Sequence, residues 1–303
     1  MLDVVKLATL RAVIEHGSFS GAGEALALTQ PAVSRQVSLL ERQLGTQLVR
    51  RTRQGVHATE AGRVLAEHAG EILGRVAAAE EEVAELAGLR RGRVRLGSFF
   101  NALVYLSAQV GAILGERHPG LVIEDHLVDR AAAFRGLAAG ELDVAIVFEH
   151  AFEPELPPDG VVLIALFDDP PRVLLPGDHR LARRRRIAAS ELAGDAWVRA
   201  HDGSGARLVD HVLSLAGLHP PILLAGRGDE PVEAQALVAA GKGVTIAHEL
   251  GVVISDSIAV RPLTGGAPVR HIQAAIMEGQ LAPAARATLD ALRAAGRSRR
   301  RGA

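Results

Sequence analysis

The stretch Gly17–Gly62 reads GSFSGAGEALALTQPAVSRQVSLLERQLGTQLVRRTRQGVHATEAG, and its punctuation decides the fold of the N-terminal part. Ahead of it, Leu7, Leu10 and Ile14 recur at helical spacing, and Gly17 stands where a helix ends in left-handed backbone. Ser18 caps a short second helix that runs through Ala22 and Ala25 to about Leu26. Thr29 caps a third helix, and Pro31 is tolerated there because first-turn N–H groups have no intrahelical partner. Val33, Val37, Leu40 and Leu44 form one apolar stripe on that helix, which ends at Gly45. The opposite arc carries Pro31, Ser34, Arg35, Ser38 and Arg42. Gln47–His57 alternates loosely around Gly55 and holds Arg50, Arg51 and Arg53, which suits a two-stranded wing.

A short helix, a tight turn and a helix with a polar outer face make a winged helix-turn-helix over residues 1–58. The major groove of DNA admits one helix, whose N-terminal side chains reach base edges. Arg35 can donate two hydrogen bonds to guanine, and Gln30 can pair with adenine. Ser34 and Ser38 can meet bases or phosphates, while Ser18, Thr29 and the open N–H groups of helix starts suit a phosphate. The charge agrees: residues 1–58 hold seven basic side chains (Lys6, Arg11, Arg35, Arg42, Arg50, Arg51, Arg53) against four acidic ones (Asp3, Glu15, Glu24, Glu41). The plainer alternative is a three-helix bundle whose arginines are merely solvated.

Residues 59–92 read as a linker helix capped by Thr59. Leu65, Ala69, Ile72, Val76, Ala79, Val83 and Leu86 step by four and three, an a/d seam. A helix of about 45 Å cannot bury that stripe in so small a head. A second chain is its natural partner, with Leu65, Ile72, Val76, Val83 and Leu86 at the dimer contact. The alternative is a long helix docked on its own body.

The quoted stretch resembles the DNA-binding head of the LysR-type transcriptional regulators, nearly throughout Gly17–Gly62. The resemblance implies that Gln30, Pro31, Ser34 and Arg35 read the operator, and that Arg51 and Arg53 lie in a wing touching backbone or minor groove. It extends more loosely past Gly92, where LVAAGKGVTIA (Leu237–Ala247) and HRLARRRRIAASELAGDAWV (His179–Val198) are similar to motifs of the family's second lobe. It implies a two-lobed effector domain like a periplasmic binding protein. The match departs at Ala102–Tyr105, where a proline often found in the family is missing, and at the bulky Phe99–Phe100.

Residues 93–303 alternate strands and helices, which predicts doubly wound α/β lobes. Strands fall at Val94–Leu96, Leu121–Ile123 and Leu142–Phe148, with helices at Leu103–Arg117 and Asp129–Ala139. Chain crossings near Asp159–Val161 and Pro262–Pro268 divide the domain into one lobe of about 93–160 with 268–295, and another of about 161–267. A final helix spans Pro283–Ala294, leaving the basic tail Arg297–Arg301 unstructured. Ligands in open α/β sheets sit beyond the carboxyl ends of the strands. Three such loops feed helix starts, at Ser98–Asn101, His201–Ser204 and Asp229–Val232. Ser98, Asn101, His201, Ser204 and Asp229 could orient a small anionic or carboxylate ligand, and Phe99, Phe100 and Phe148 could wall it. The plainer alternatives make Ser98 and Ser204 simple caps, His201 a loop residue, and Phe100 and Phe148 core.

Composition removes other classes. The 303 residues contain no cysteine, so disulfides, thiolate nucleophiles and Cys-based metal sites are excluded. No apolar run is long enough to span a bilayer and no signal pattern opens the chain, so a cytoplasmic protein without membrane contact is expected. Asp202–Gly205 lacks the spacing of a nucleophile elbow. His248–Glu249 is not part of a zinc-protease motif, and Gly241–Gly243 lacks the remainder of a phosphate loop. No catalytic constellation, metal set or cofactor motif emerges. Arg183–Arg186 reads as a solvated run rather than a second anion patch. The expected protein is a transcription regulator that binds double-stranded DNA at an interrupted inverted repeat as a dimer or tetramer, with a small-molecule effector between its lobes and RNA polymerase as a further candidate partner. The competing reading is a transport-like binding protein whose head is vestigial or docks another protein.

Overall fold

The computed structural model describes residues 2–52, 55–86, 92–226, 232–253, 255–265, 268–279 and 281–302. Its head is built from α1 (Val4–Glu15), α2 (Phe19–Ala25) and α3 (Gln30–Leu44). The wing follows as β1 (Val49–Thr52) and β2 (Gly55–Ala58), antiparallel with Val49 opposite Ala58. The stop signals act as their chemistry requires. Gly17 and Gly45 take φ of +60° and +69° after α1 and at the end of α3, and Ser18 Oγ accepts from Gly21 N at 3.0 Å. Thr29 occupies the cap position of α3, but its side chain makes no capping bond. Leu7, Leu10, Val13, Phe19, Ala22, Val33, Val37 and Leu40 close one core with Leu48, Val49 and Val56 of the wing. Leu44, expected in that stripe, is 42% exposed, because the helix has run past the core by its last turn.

The linker helix α4 (Glu60–Leu86) does not leave the head at once. Thr59 caps it, accepting from Gly62 N at 3.0 Å while donating to Gln47 O. Leu65 and Ala69 pack into the head core. A Cβ at Gly62 would lie 1.9 Å from Leu48 O, so only glycine lets helix and wing cross there. Farther along the expected seam, Ile72 is 37% and Val83 66% exposed and Val76 is half-buried. The side chain of Leu86 lies outside the described residues.

The first lobe is a five-stranded sheet flanked by helices. β3 (Arg93–Ser98) runs parallel to β4 (Val122–Leu127) and β5 (Val144–His150). Between β3 and β4 the chain forms α5 (Phe100–Ala102), a π turn at Leu103–Ser107 and α6 (Ala108–Arg117). The π turn falls where the sequence departs from the family pattern. Helix α7 (Arg130–Ala138), capped by Asp129, leads to β5. β6 (Val161–Asp169) then completes this same sheet, in the order β4-β3-β5-β13-β6, where β13 is Arg270–Met277. This corrects the boundary expected near Asp159–Val161: the first crossing lies after Asp169.

The second lobe holds β7 (Pro171–Pro176), β8 (Ile187–Ala188), β9 (Trp197–Arg199), α8 (Gly203–Ala216), β10 (Ile222–Leu224), α9 (Val232–Ala239), β11 (Thr245–His248) and β12 (Ile258–Thr264). The chain returns through β13 (Arg270–Met277), antiparallel to both β5 and β6. The sheet is therefore mixed rather than wholly parallel. Helix α10 (Pro283–Gly302) packs Ala285, Leu289 and Leu292 on the first core and continues through the tail expected to be unstructured.

Both crossings meet at one buried ion pair. Asp169 ends β6 and Arg270 begins β13; their side chains are 1% and 4% exposed, with Nη2 2.6 Å from Oδ2. Asp169 Oδ1 also accepts from Leu250 N of the second lobe at 2.9 Å. Breaking a buried pair leaves an uncompensated charge. Arg270→Ala should therefore cost about 3–5 kcal/mol of stability by urea unfolding; a loss below about 1 kcal/mol would mean that water reaches the pair.

Candidate nucleic-acid interface and effector cleft

On the head, the polar arc of α3 faces outward: Thr29, Gln30, Pro31, Arg35 and Ser38 are exposed and Ser34 is half-buried. Two contacts brace this arc from behind. Thr9 of α1, fully buried, donates to Gln36 Oε1 and so ties α1 to α3. Glu41 Oε1 accepts from Leu48 N at 2.8 Å and from Val49 N at 3.2 Å, which ties α3 to the wing. Arg51 reaches back from the wing rather than outward from it. Its guanidinium lies 4.4 Å from the Phe19 ring centroid and donates from Nη2 to Ser34 Oγ at 3.0 Å. Arg51 and Ser34, expected as separate DNA contacts, are thus hydrogen-bonded to each other across wing and helix. Arg53 lies outside the described residues. Ser18 is half-buried and spends its hydroxyl on the α2 cap.

Between the lobes lies a cleft of about 410 Å³ at the carboxyl ends of β3, β4 and β5. Phe99, Phe100 and Phe148 line it as expected. Phe99 meets Phe148 edge-on, with ring centroids 4.8 Å apart. Ser98 and Asn101 are not in the lining; both are buried, and Ser98 Oγ has no hydrogen-bond partner. His201 is exposed and Ser204 is buried in the first turn of α8, and neither lines the cleft. Asp229 lies outside the described residues.

The polar lining comes instead from the start of α7, the end of β5 and the segment after it. Asp129, Glu149, Glu153 and Glu155 supply carboxylates, while Arg130 and Arg207 supply guanidiniums. Both guanidiniums are engaged: Arg207 Nε donates to Glu153 Oε2 at 2.8 Å, and Arg130 Nε lies 3.4 Å from Glu155 Oε2. Arg130 also donates to Phe148 O at 2.8 Å and Glu155 O at 3.0 Å. Burial pulls its pKa down, opposed by Glu149 and Glu155. The N-terminus of α7 is answered by Asp129, whose Oδ1 accepts from Ala132 N at 2.7 Å. The positive end of α7, which was not among the helix starts expected to hold a ligand, therefore already has its carboxylate. A sequence signal did exist, since Asp129 reads as a cap and Arg207 stands one turn beyond Ser204.

Beneath the cleft, rings form a column between the lobes. Phe148 meets His150 at 5.4 Å; His150 stacks on Phe152 at 4.8 Å and Phe152 on His211 of α8 at 4.2 Å. His248 lies 5.0 Å from His150, and the Arg270 guanidinium rests 5.0 Å and 4.8 Å from the Phe99 and Phe148 rings. Desolvation, then the charge of Arg270 and the proximity of His150, push the pKa of His248 well below the ordinary histidine value, against a backbone hydrogen bond at Pro268.

Two family models match the chain. "Bacterial regulatory helix-turn-helix protein, lysR family" covers residues 5–63, and "LysR substrate binding domain" covers residues 87–297. The RuBisCO operon transcriptional regulator of Allochromatium vinosum is 32% identical over 204 residues, 67% of this chain and 65% of that protein, just under two thirds of its length. A probable hydrogen peroxide-inducible genes activator of Streptomyces viridosporus is 31% identical over 287 residues, covering 91% of this chain and 88% of that protein. Among solved structures, a full-length OxyR variant from Pseudomonas aeruginosa superposes with a TM-score of 0.76 at 21% identity, covering 98% of this chain and 95% of that one. Among the described residues, no helix is long and apolar enough to cross a membrane.

The buried His248 gives the fold a pH dependence of definite sign. The unfolded chain protonates this residue as pH falls through about 6.5, while the folded chain does so only well below that. The unfolded state therefore binds more protons, so this contribution is complete above pH ~6.5 and is lost as pH falls toward the folded value. His248→Gln should flatten the change in urea-unfolding stability between about pH 7 and pH 5; an unchanged slope would mean that His248 is hydrated.

Proposed function

The chain belongs to the LysR family of bacterial transcription regulators, and on that premise we propose how its own residues read DNA and sense a ligand. The exposed arc of α3 lies in a major groove, with Arg35 and Gln30 on base edges and Ser38 and the open start of α3 on phosphate. Arg51 acts through Ser34, holding the wing against the helix so that the two follow the groove together. Two heads are needed to span the half-sites of an inverted repeat. The exposed positions Ile72 and Val83, with the half-buried Val76, support pairing of α4 with a second copy.

The cleft between the lobes takes the effector. Its aromatic wall favours a ligand with a flat or apolar body. Its charge favours a cationic end: four carboxylates line it against two guanidiniums, with Arg207 on Glu153 and Arg130 held between Glu149 and Glu155. A cationic end is a different choice from the carboxylate that helix starts alone suggested. The signal is also not thiol oxidation, because the chain has no cysteine. A ligand acts here by preferring one angle of the lobes over another.

The observation that carries the reading is the outward-facing arc Gln30–Ser38 braced by Glu41, Gln36 and Arg51. In gel-shift titrations on a duplex enriched from a random pool, Arg35→Ala should cost about 1–3 kcal/mol and relax the preference at one base pair. Unchanged preference would refute base reading by Arg35. For the cleft, thermal shift of the full chain against matched arylalkyl amines and aryl carboxylates should show stabilisation by amines only. Stabilisation by carboxylates, or by neither set, would refute the cationic reading.

A further inference from the structure

The effector cleft and the DNA-binding head meet opposite ends of one short helix. Asp129 and Arg130, at the start of α7, line the cleft. At the other end, Arg11 of α1 donates from Nη1 to Ala139 O at 2.7 Å, and its Nη2 lies 3.2 Å from Glu141 Oε1. The Arg11 side chain is only 19% exposed. The linker helix touches the same spot. A Cβ at Gly70 of α4 would lie 2.4 Å from Ala139 O, and one at Gly140 would lie 2.6 Å from Gly70 O. Gly140 also adopts φ +65°, which favours glycine. Two bare backbones are therefore in direct contact, with no side chain to act as a cushion.

The chemistry of this contact is directional. The last carbonyls of a helix lack intrahelical partners and carry partial negative charge. A guanidinium satisfies one of them through a charge-assisted bond. Arg11 belongs to the head, on a helix other than the one whose outer arc faces DNA. The contact therefore leaves Arg35 and its neighbours exposed.

We propose that the C-terminal end of α7 is a docking surface for the head of the same chain, and that Arg11, Gly70 and Gly140 make α7 the rigid connection through which occupancy of the cleft sets the position of the head. A nine-residue helix is about 14 Å long and transmits a displacement of its first turn as a whole. Arg130 is the sensing end, because its guanidinium bridges Phe148 O and Glu155 across the floor of the cleft. The inference rests on the cleft being the effector site.

A double-mutant cycle on the full chain tests it without a known ligand. Dissociation constants for Arg130→Gln, Arg11→Gln and the double variant are measured on the duplex selected by the unmutated chain. Residues this far apart without shared partners normally combine within about twofold. The expected result is that Arg130→Gln changes the constant about threefold or more when Arg11 is present and leaves it unchanged in the Arg11→Gln background. Gly70→Ala, which forces the backbones apart while keeping Arg11, should abolish the Arg130→Gln effect in the same way. Thermal melting checks that each variant is folded. An equal Arg130→Gln effect in all backgrounds, or none in any, overturns the proposal while leaving the regulator reading intact. Absence of any duplex selected by the unmutated chain overturns both.

Discussion

Asp169 and Arg270 hold the effector domain together at the only two points where the described chain passes between its lobes. A carboxylate and a guanidinium this deeply buried are tolerable only if every lone pair and donor is answered. Asp169 meets that condition by accepting from Arg270 on one oxygen and from Leu250 N on the other. Leu250 itself sits in the core of the first lobe, so the second lobe is anchored by a side chain as well as by a hydrogen bond. The two crossings are therefore tied together at the base of the cleft by charge, hydrogen bond and packing.

The same arginine connects the two crossings to the cleft, since Phe99 and Phe148 line the cleft and lie against the Arg270 guanidinium. From there two paths lead outward. The ring column through His150, Phe152 and His211 joins the cleft floor to α8 of the second lobe. Helix α7 joins it to the head, which shares its core with the first turns of α4. Head, linker and first lobe thus share continuous contacts, in which glycines (Gly62, Gly70, Gly140) sit at the close approaches. Larger residues there would separate the parts and let each move alone.

The head was legible in the sequence because its signals are local. Gly17, Ser18 and Gly45 punctuate helices within a few residues, and the stripe Val33, Val37, Leu40 needs only helical period to be read. The parts that were not legible depend on distant pairing. Pro158, Asp159 and Gly160 look like a domain border, yet β6 pairs with β13, about a hundred residues on. Leu65 and Ala69 carry the heptad period but serve the head core, because a seam and a core stripe share the same spacing. The three phenylalanines of the cleft were readable from their place at the carboxyl ends of strands. Asp129 was readable only as a helix cap, and its convergence with Glu149 and Glu153 was not, since that needs β3, β4 and β5 ordered side by side.

The head rests on its own effector lobe through a defined contact rather than swinging on a free linker, and this can be measured directly. Because the chain lacks cysteine, two introduced cysteines at the exposed positions Glu24 of α2 and Glu116 of α6 can each carry a spin label without background. Diluting labelled chains into an excess of unlabelled protein restricts the pulsed dipolar signal to distances within one chain. A docked head predicts a single narrow distance distribution in the absence of DNA. A broad distribution, spanning the positions open to a tethered head, would contradict it.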